Sequence, residues 1–372
     1  MLRAFPKIRL VLAFLLVVVS TASTLRGAEL PPQISDDEFW AMMSDFSEPD
    51  GYFRFENFLS NELAYQKVIP VLKKNSRPGG VYIGVGPEQN FTYVVALEPK
   101  IAFIIDIRRQ NMLEHLMYKA LFELAQDRVE FLSLLYARPE PSNLTRNSTC
   151  DELFDAYWVT TYNTGRADKT LTDIMQVLLE KHNLPLSLED QATIGYIYRV
   201  FVDSGPALDF SLGGIGAAPD TPNYADLMVA TDGAGLKRSY LATEENFQFV
   251  KEMERRNLIV PLVGDFSGPK ALLAVGQYLR EHDATVTAFY TSNVEQYLFQ
   301  SRRNWRRFYD NVSQLPMDTS SMFIRSVNGA ASTRPRLAVN RFDSVLSSMT
   351  DLIKAFHDGT IRYYFDVIEM SY

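Results

Sequence analysis

The clearest pattern in the chain is a set of short, almost wholly apolar runs separated by segments with helical spacing. The runs lie at residues 81–83, 101–105, 258–263, 285–290 and 322–327. Continuous apolar runs of this length are typical of strands that are covered on both faces, as in a parallel sheet. The pattern therefore predicts five buried strands.

Helical spacing of apolar residues fills the intervals between these runs. The predicted helices cover residues 88–97, 112–124, 271–279 and 294–308. The C-terminal part adds a predicted helix at 342–357 and a predicted strand at 361–368. This alternation predicts an α/β fold, a Rossmann-like, doubly wound, mostly parallel sheet with helices on both faces.

The same pattern suggests how the chain is divided. Residues 23–78 are predicted to form an N-terminal helical segment, and residues 79–372 an α/β domain. A large insertion, mainly helices and loops, interrupts this domain at about residues 127–256, with predicted helices at 171–181, 188–201 and 243–256. Within it, residues 205–222 are rich in glycine and proline, including Gly213, Gly214 and Gly216. Such a long irregular segment is predicted to be a functional loop or lid over the site.

The N-terminus predicts export. Arg3, Lys7 and Arg9 precede an apolar stretch at residues 10–19, which small residues follow. This arrangement is typical of a signal peptide, predicted here to span residues 1–22, with later cleavage near Ala28 as a variant. The stretch is short for a membrane span, but an uncleaved anchor is the alternative. Either outcome places the domain outside the cytosol, periplasmic or secreted, with no stable membrane span once the signal is cleaved.

The net charge and the few cysteine and histidine residues limit the classes of partner and site that the chain is expected to have. The formal net charge of −8 argues against a nucleic acid or an anionic membrane as the partner. The single cysteine, Cys150, lies in a polar stretch predicted to be a loop, and it rules out an internal disulfide. The four histidines are scattered, which predicts no metal site. A small-molecule ligand is the expected partner, and no pattern in the sequence predicts a protein partner.

The candidate chemistry lies between residues 80 and 111. The first strand breaks at Gly84 and Gly86, Glu88 follows in the turn, and the second strand ends at Asp106. Ligands of open parallel sheets bind beyond the carboxyl ends of the strands, where glycines allow close approach to the backbone. Asp106 follows Gly86 by 20 residues, a spacing at which an acid accepts hydrogen bonds from ribose hydroxyls. One interpretation is a nucleoside site, and the other is an ordinary βαβ unit with a solvated aspartate.

These motifs resemble those of the class I S-adenosylmethionine-dependent methyltransferases, over residues 79–126 and 257–327. The resemblance implies S-adenosylmethionine as cofactor, without a metal. The cofactor-binding residues it implies are Gly84, Gly86, Glu88, Asp106, Asp265 and Phe266, the last by stacking on the adenine. The catalytic candidates, at the end of the fourth strand, are Tyr290, Asn293 and Glu295. The segments GVGPEQNF, DIRRQN, VGDF and TSNVEQYL are also similar to a group of uncharacterised bacterial proteins.

The sequence also departs from that methyltransferase family. Gln89 stands where a dinucleotide-binding turn has its third glycine, and Tyr82 stands near the usual position of an acid in the first strand. Arg108 and Arg109 are candidates for binding an anionic substrate, and the alternative for both is a solvated helix start. Glu295 is either catalytic or a surface helix residue.

Two functions follow from these observations. The first is an exported methyltransferase that acts on an unidentified acceptor. Export conflicts with this function, because S-adenosylmethionine is a cytosolic compound. The second is a non-catalytic exported binding module with a nucleoside-type or vestigial pocket.

Overall fold

The computed structural model describes residues 28–210, 221–328 and 342–372. The predicted signal peptide, and Gly213, Gly214 and Gly216 of the predicted lid, lie outside these ranges. Within them, every helix is too short or too polar to cross a membrane.

A six-stranded sheet forms the centre of the protein. Its strands in chain order are β1 (Val81–Gly84), β2 (Ile101–Asp106), β3 (Ile259–Val263), β4 (Val286–Ser292), β5 (Met322–Asn328) and β6 (Phe342–Ser348). The spatial order is β3-β2-β1-β4-β5-β6, and β6 runs antiparallel to β5 while the other neighbours pair in parallel. All five predicted strands are confirmed, and so is the Rossmann-like α/β fold class.

Helices connect the strands and fill the insertion. Those before and within the first half of the sheet are α1 (Asp36–Phe46), α2 (Ile69–Asn75), α3 (Gln89–Leu97) and α4 (Arg109–Leu124). The insertion contains α5 (Arg128–Leu135), α6 (Cys150–Val159), α7 (Thr164–Gln176), α8 (Leu188–Ser204), α9 (Tyr224–Val229) and α10 (Glu244–Arg255). The second half contains α11 (Ala271–Glu281), α12 (Val294–Leu298), α13 (Arg302–Val312), α14 (Met349–His357) and α15 (Tyr364–Glu369).

The insertion shares the core of the sheet domain. Every residue of β1, β2 and β3 is buried, which requires cover on both faces of the sheet. On one side, aromatic rings join the connecting helices to the insertion. The ring of Phe122 on α4 lies 5.3 Å from Phe91 on α3 and 4.7 Å from Phe131 on α5, and Phe131 lies 5.4 Å from Phe247 on α10. The insertion therefore packs against α3 and α4 as part of one core.

The two C-terminal predictions were wrong. Residues 342–348 form β6, and the helix begins only at Met349, where the Ser348 side chain accepts a hydrogen bond from the N–H of Asp351. The apolar spacing fits a continuous helix as well, but these residues lie beside β5 and pair with it. The predicted strand at 361–368 is instead occupied by α15. Asp366 caps its start by accepting the backbone N–H groups of Arg362 and Tyr363 at 2.7 and 2.8 Å.

Two further expectations also need correction. The single helix predicted at 294–308 is two helices, α12 and α13, and Ser301 caps the second by accepting the N–H of Asn304. Cys150 does not lie in a loop, because a capping box of Thr149 and Glu152 begins α6 at this residue. Burial raises the pKa of the Cys150 thiol to about 12, so the reactive thiolate does not form at neutral pH.

A buried polar network attaches α1 to the insertion. Its centre is Glu123 of α4, whose side chain is 2% exposed. Nζ of Lys119 lies 2.9 Å from its carboxylate, Nζ of Lys181 2.5 Å and Nε2 of His182 2.9 Å. Nδ1 of His182 lies 2.7 Å from Oδ1 of Asp36 on α1. The network therefore links three separate parts of the chain.

Candidate functional site

The turn after β1 is held by two helices. Gly86 has a φ of +78°, a conformation that L side chains rarely adopt, so this position favours glycine. Its carbonyl oxygen lies 2.9 Å from Nε2 of His115 on α4. The side-chain amide of Asn90 on α3 donates to the carbonyl oxygens of Val85, Gly86 and Pro87 at distances of 2.7–3.0 Å. The turn thus has a fixed shape before any ligand binds.

Gly84 leaves no room for a side chain, and we expect Gly84→Ala to lower the free energy of unfolding by about 1–3 kcal/mol. An added Cβ would collide with Oδ1 of Asn90 and lie 2.8 Å from Oη of Tyr82. These two atoms already hydrogen-bond each other at 2.8 Å, so neither moves away easily. Chemical denaturation measures the change. Gly195→Ala is the control, because its Cβ would lie 3.6 Å from Leu171 within helix α8, where alanine is favoured. Equal stability of the two variants would contradict the prediction.

Asp106 ends β2 beside the turn, and it is paired with Arg108. Oδ1 of Asp106 accepts the backbone N–H of Arg108 at 2.9 Å, and Nε of Arg108 lies 3.6 Å from the same atom. Nη1 of Arg108 donates to the carbonyl oxygens of Phe55, at 3.1 Å, and of Glu56. Nη2 is buried and has no hydrogen-bond partner among the described residues. Nε also lacks a hydrogen-bond partner there, so Arg108 keeps two donor atoms beside Asp106.

Two fully buried acids lie next to this pair. Glu88 immediately precedes α3 and Glu114 lies on α4, and within the described ranges none of their carboxylate oxygens has a hydrogen-bond partner. Burial raises the pKa of Glu88 to about 8, and the nearby backbone N–H groups of Glu88 and Ser60, which do not reach hydrogen-bond geometry with the carboxylate, offset part of the rise. Burial also raises the pKa of Glu114 well above its usual range, and the charge of Glu88 adds to this effect. The Glu88 carboxyl group is therefore mainly neutral at pH 7, and burial favours the neutral form of Glu114 as well.

Three more buried side chains present polar atoms without a partner in the described part of the chain. These atoms are Nδ1 of His115, Oε1 of Gln89 and Nδ2 of Asn111. Burial lowers the pKa of His115 to about 4, so its ring is neutral. Because Nε2 carries the proton that is donated to Gly86, Nδ1 is a hydrogen-bond acceptor.

Glu62 of the N-terminal segment and the end of β4 contribute further buried polar side chains near the turn after β1. Ser292 donates to Oε1 of Glu62, while Oε2 of Glu62 has no partner among the residues described. Ser292 has a φ of +49°, and the pairing of β4 with β5 shifts register between Tyr290 and Ser292. Strained backbone of this kind is concentrated at functional sites. Tyr290 is buried, and its hydroxyl accepts a hydrogen bond from Nε2 of Gln89 at 3.1 Å.

These side chains surround the carboxyl ends of β1, β2 and β4, and we call them the buried polar cluster. Its members are Glu62, Glu88, Gln89, Asp106, Arg108, Asn111, Glu114, His115, Tyr290 and Ser292. Half of the buried side-chain polar atoms that lack a partner in the described ranges belong to this cluster. Unsatisfied buried polar atoms are rare in folded proteins, and such a concentration indicates a binding site. The strand order reverses between β1 and β4, which is where open α/β sheets bind ligands.

Asp265 and Phe266 follow β3 at the same end of the sheet. The N–H of Gly264 donates to the carbonyl oxygen of Asp106 at 2.8 Å, so Asp265 follows directly beside the end of β2. Oδ1 of Asp265 accepts the backbone N–H and the hydroxyl of Ser267 at 2.8 and 2.9 Å. Phe266 is buried, with its ring centroid 4.9 Å from that of Phe289. Its position is that of a core residue, which does not fit the predicted stacking on a ligand.

Glu295 is part of a buried ion pair. It was predicted to be either catalytic or a surface helix residue, and the surface alternative is wrong because the side chain is 1% exposed. Nε and Nη2 of Arg325 both donate to its carboxylate, the second at 3.2 Å. The hydroxyls of Tyr309 and Thr291 donate to it at 2.5 and 3.2 Å. These four donors hold the carboxylate within the core, and its catalytic role stays a prediction.

Arg109 and Asn293 are also outside the buried polar cluster. Nε and Nη2 of Arg109 bind the two carboxylate oxygens of Asp190 at 2.6 and 2.9 Å, which ties α4 to α8. Its backbone N–H donates to Asp50 at 2.6 Å. Asn293 precedes α12, and its carbonyl oxygen accepts the N–H of Gln296 at 3.1 Å. Of the two arginines, only Arg108 belongs to the cluster.

Six cluster residues were not among the predicted site residues, namely Glu62, Gln89, Asn111, Glu114, His115 and Ser292. Asn111, Glu114 and His115 are spaced three and four residues apart on α4, and therefore share one helix face. Polar residues at this spacing in an otherwise apolar helix were an available signal. Nothing near Glu62 in sequence indicates its position, because Ser292 is its partner across 230 residues.

The cluster contains oxygen atoms of the kind that bind metal ions. Even so, no group of three or more His, Cys, Asp or Glu residues in the described part of the chain is arranged to hold a metal ion. Its free atoms instead suit a ligand that offers several hydrogen-bond donors and an anionic group for Arg108.

The chain was compared with known proteins and families. No curated protein matches it. A family described as a domain of unknown function, DUF7790, matches residues 57–188 and 217–363, which include every member of the buried polar cluster. The chain therefore belongs to the DUF7790 family.

Proposed function

We propose that this protein binds a nucleoside-type ligand at the carboxyl ends of β1, β2 and β4, with S-adenosylmethionine as the first candidate. The observation that carries the proposal is the concentration of buried, unpartnered polar atoms at the point where the strand order reverses. The proposed activity is methyl transfer to an unidentified acceptor. The proposed location is outside the cytosol, and it rests on residues 1–27 of the sequence alone.

The residues of the cluster fit such a ligand chemically. Asp106 is an acceptor for ribose hydroxyls, and Arg108 is a donor for a carboxylate. The turn at Gly86 is held in one shape by Asn90 and His115, so its backbone is ordered before a ligand binds. When bound, S-adenosylmethionine supplies an electrophilic methyl group. The protein's contribution is to hold the ligand in position and to exclude water.

A second candidate function is ligand binding without catalysis. It is supported by the contacts of two predicted catalytic residues, Glu295 and Tyr290, whose side chains are already engaged within the protein. Glu295 has four donors from Arg325, Tyr309 and Thr291. The hydroxyl of Tyr290 is buried and paired with Gln89, and burial raises its pKa well above the usual range. Neither side chain is in a state to act as a base at neutral pH. Methyl transfer therefore depends on ligand positioning alone, whereas ligand binding does not require either residue.

We expect Asp106→Ala to weaken binding of S-adenosylmethionine and of S-adenosylhomocysteine about 10- to 100-fold, because hydrogen bonds to a charged group contribute about 1.5–3 kcal/mol. Isothermal titration calorimetry on the purified protein measures this change. Asp318→Ala is the matched control, because Asp318 accepts the N–H two residues ahead, as Asp106 does, but lies before β5. Absence of binding to the wild-type protein, or equal binding by all three proteins, would refute the proposed site.

Incubation with methyl-labelled S-adenosylmethionine separates the two functions. The enzyme would convert it to S-adenosylhomocysteine when an exported-protein extract is added as the source of acceptor. The binding module would release it unchanged. The double variant Glu295→Leu with Arg325→Met is informative here, because a catalytic Glu295 would be required for the conversion.

A further inference from the structure

We infer that Glu88 and Glu114 form a receptor for an ammonium group of the ligand, an inference that rests on the proposed function. Among the unpartnered atoms of the buried polar cluster, hydrogen-bond acceptors outnumber donors. With both acids ionised, seven are acceptors, contributed by Glu62, Glu88, Gln89, Glu114 and His115, and three are donors. A group that satisfies many acceptors at once must carry several N–H donors, as an ammonium does.

The position of the two acids supports this assignment. Glu88 immediately precedes α3, and Glu114 lies on α4 next to His115, whose ring contacts the carbonyl oxygen of Gly86. Their carboxylates interact electrostatically, since the charge of Glu88 raises the pKa of Glu114. Arg108 opposes this effect, but its Nε already lies beside Asp106. No other cation of the described residues contributes to the pKa of Glu88 or Glu114.

Binding of an ammonium group to these two acids should change their protonation. Without a cation, burial favours the neutral form of both carboxyl groups. An ammonium group favours the ionised form, so binding should release a proton to solvent. Substitution by glutamine keeps the size and removes the charge that the ammonium requires.

The ammonium has two chemically possible sources. One is the amino-acid part of the nucleoside ligand, and the other is an amine-bearing second substrate. S-Adenosylhomocysteine and its N-acetyl derivative test the first source, because they differ in the charge of that nitrogen. Putrescine, titrated in the presence of 5′-methylthioadenosine, which has no amino-acid part, tests the second.

Calorimetry at pH 7 in buffers of different ionisation enthalpy measures affinity and proton release together. For whichever amine binds, we expect release of about one proton per ligand and a loss of at least tenfold in affinity in Glu88→Gln and Glu114→Gln. The N-acetyl derivative should bind both variants and the wild-type protein alike. Glu254→Gln is the matched control, because Glu254 is also buried with an unpartnered oxygen and a pKa of about 8, but lies on α10 beside Lys119.

The outcomes separate this inference from the proposed function. If S-adenosylhomocysteine binds without proton release, both glutamine variants bind it normally, and putrescine shows neither proton release nor dependence on the two acids, the ammonium receptor is refuted and the nucleoside site stands. If no member of the ligand set binds, both are refuted. Proton release is measured on the wild-type protein, so the test remains decisive even if a glutamine variant fails to fold.

Discussion

Arg325→Met is expected to lower the free energy of unfolding by about 3–5 kcal/mol, the largest effect among the substitutions considered. The guanidinium of Arg325 is fully buried, and its removal leaves the Glu295 carboxylate buried without a countercharge. The hydrogen bond from Arg325 to Ser347 of β6 is lost as well. Chemical denaturation followed by circular dichroism measures the loss.

The double variant Glu295→Leu with Arg325→Met should recover most of this stability. Replacement of both members of a buried ion pair by apolar residues of similar size is often close to neutral, because both desolvation penalties disappear together. Lys169→Met is the control for removing a cation, since its pair with Asp173 is exposed and should contribute below about 1 kcal/mol. A loss in Arg325→Met as small as that of the control would show that the buried pair does not hold the sheet together.

The double variant also tests the role of Glu295. If this carboxylate is structural, the double variant keeps the ligand affinity of the wild-type protein and any methyl-transfer activity. Loss of activity in a variant of near wild-type stability would return Glu295 to the catalytic candidates.

Glu123→Leu should lower the free energy of unfolding by about 3 kcal/mol at pH 7. The substitution leaves Lys119, whose side chain is 1% exposed, without its ion-pair partner, and it removes the group that joins Lys181 and His182. Lys181 is more than half exposed, so water compensates part of its charge and limits the loss. Unfolding in urea at pH 7 measures the change.

The effect of Glu123 should depend on pH in one direction. Burial alone would raise the pKa of Glu123, but the hydrogen bond from His182, the charge of Lys119 and the contact with Lys181 bring it well below its ordinary value of 4.5. A carboxyl whose pKa is lower in the folded state stabilises the fold above its unfolded pKa, and this contribution is lost as the pH falls. The stability difference between wild type and Glu123→Leu should therefore be full at pH 7 and shrink below about pH 4.5.

Glu252→Leu provides the matched comparison. Hydrogen bonds from Arg255 and Arg256 lower the pKa of Glu252 to about 2, the same direction as for Glu123, but this group is 41% exposed. Solvent screening should hold its effect within about 1 kcal/mol. If the two substitutions had equal effects, burial of the Glu123 network would not be the source of its stability.

The strands and the turn were predictable because their signals are local. Residues 101–105 are apolar at every position, a pattern typical of a strand covered on both faces. Gly86 has a positive φ, a property of its own backbone. The prediction of a helix at 342–357 was wrong because its signal is not local. The spacing of the apolar residues fits a helix or a strand, and pairing with β5 makes residues 342–348 a strand.

The sequence by itself determined the α/β alternation, the glycine turn after β1 and the acid that ends β2. These depend on burial and backbone conformation within a few residues. Only the tertiary structure decided which charged groups are paired and which remain free. Glu295 meets Arg325 in a buried ion pair, whereas the carboxylates of Glu88 and Glu114 remain without a hydrogen-bond partner among the described residues. The physical reason is that a carboxylate's role is set by the groups that folding places around it, and those groups come from distant parts of the chain.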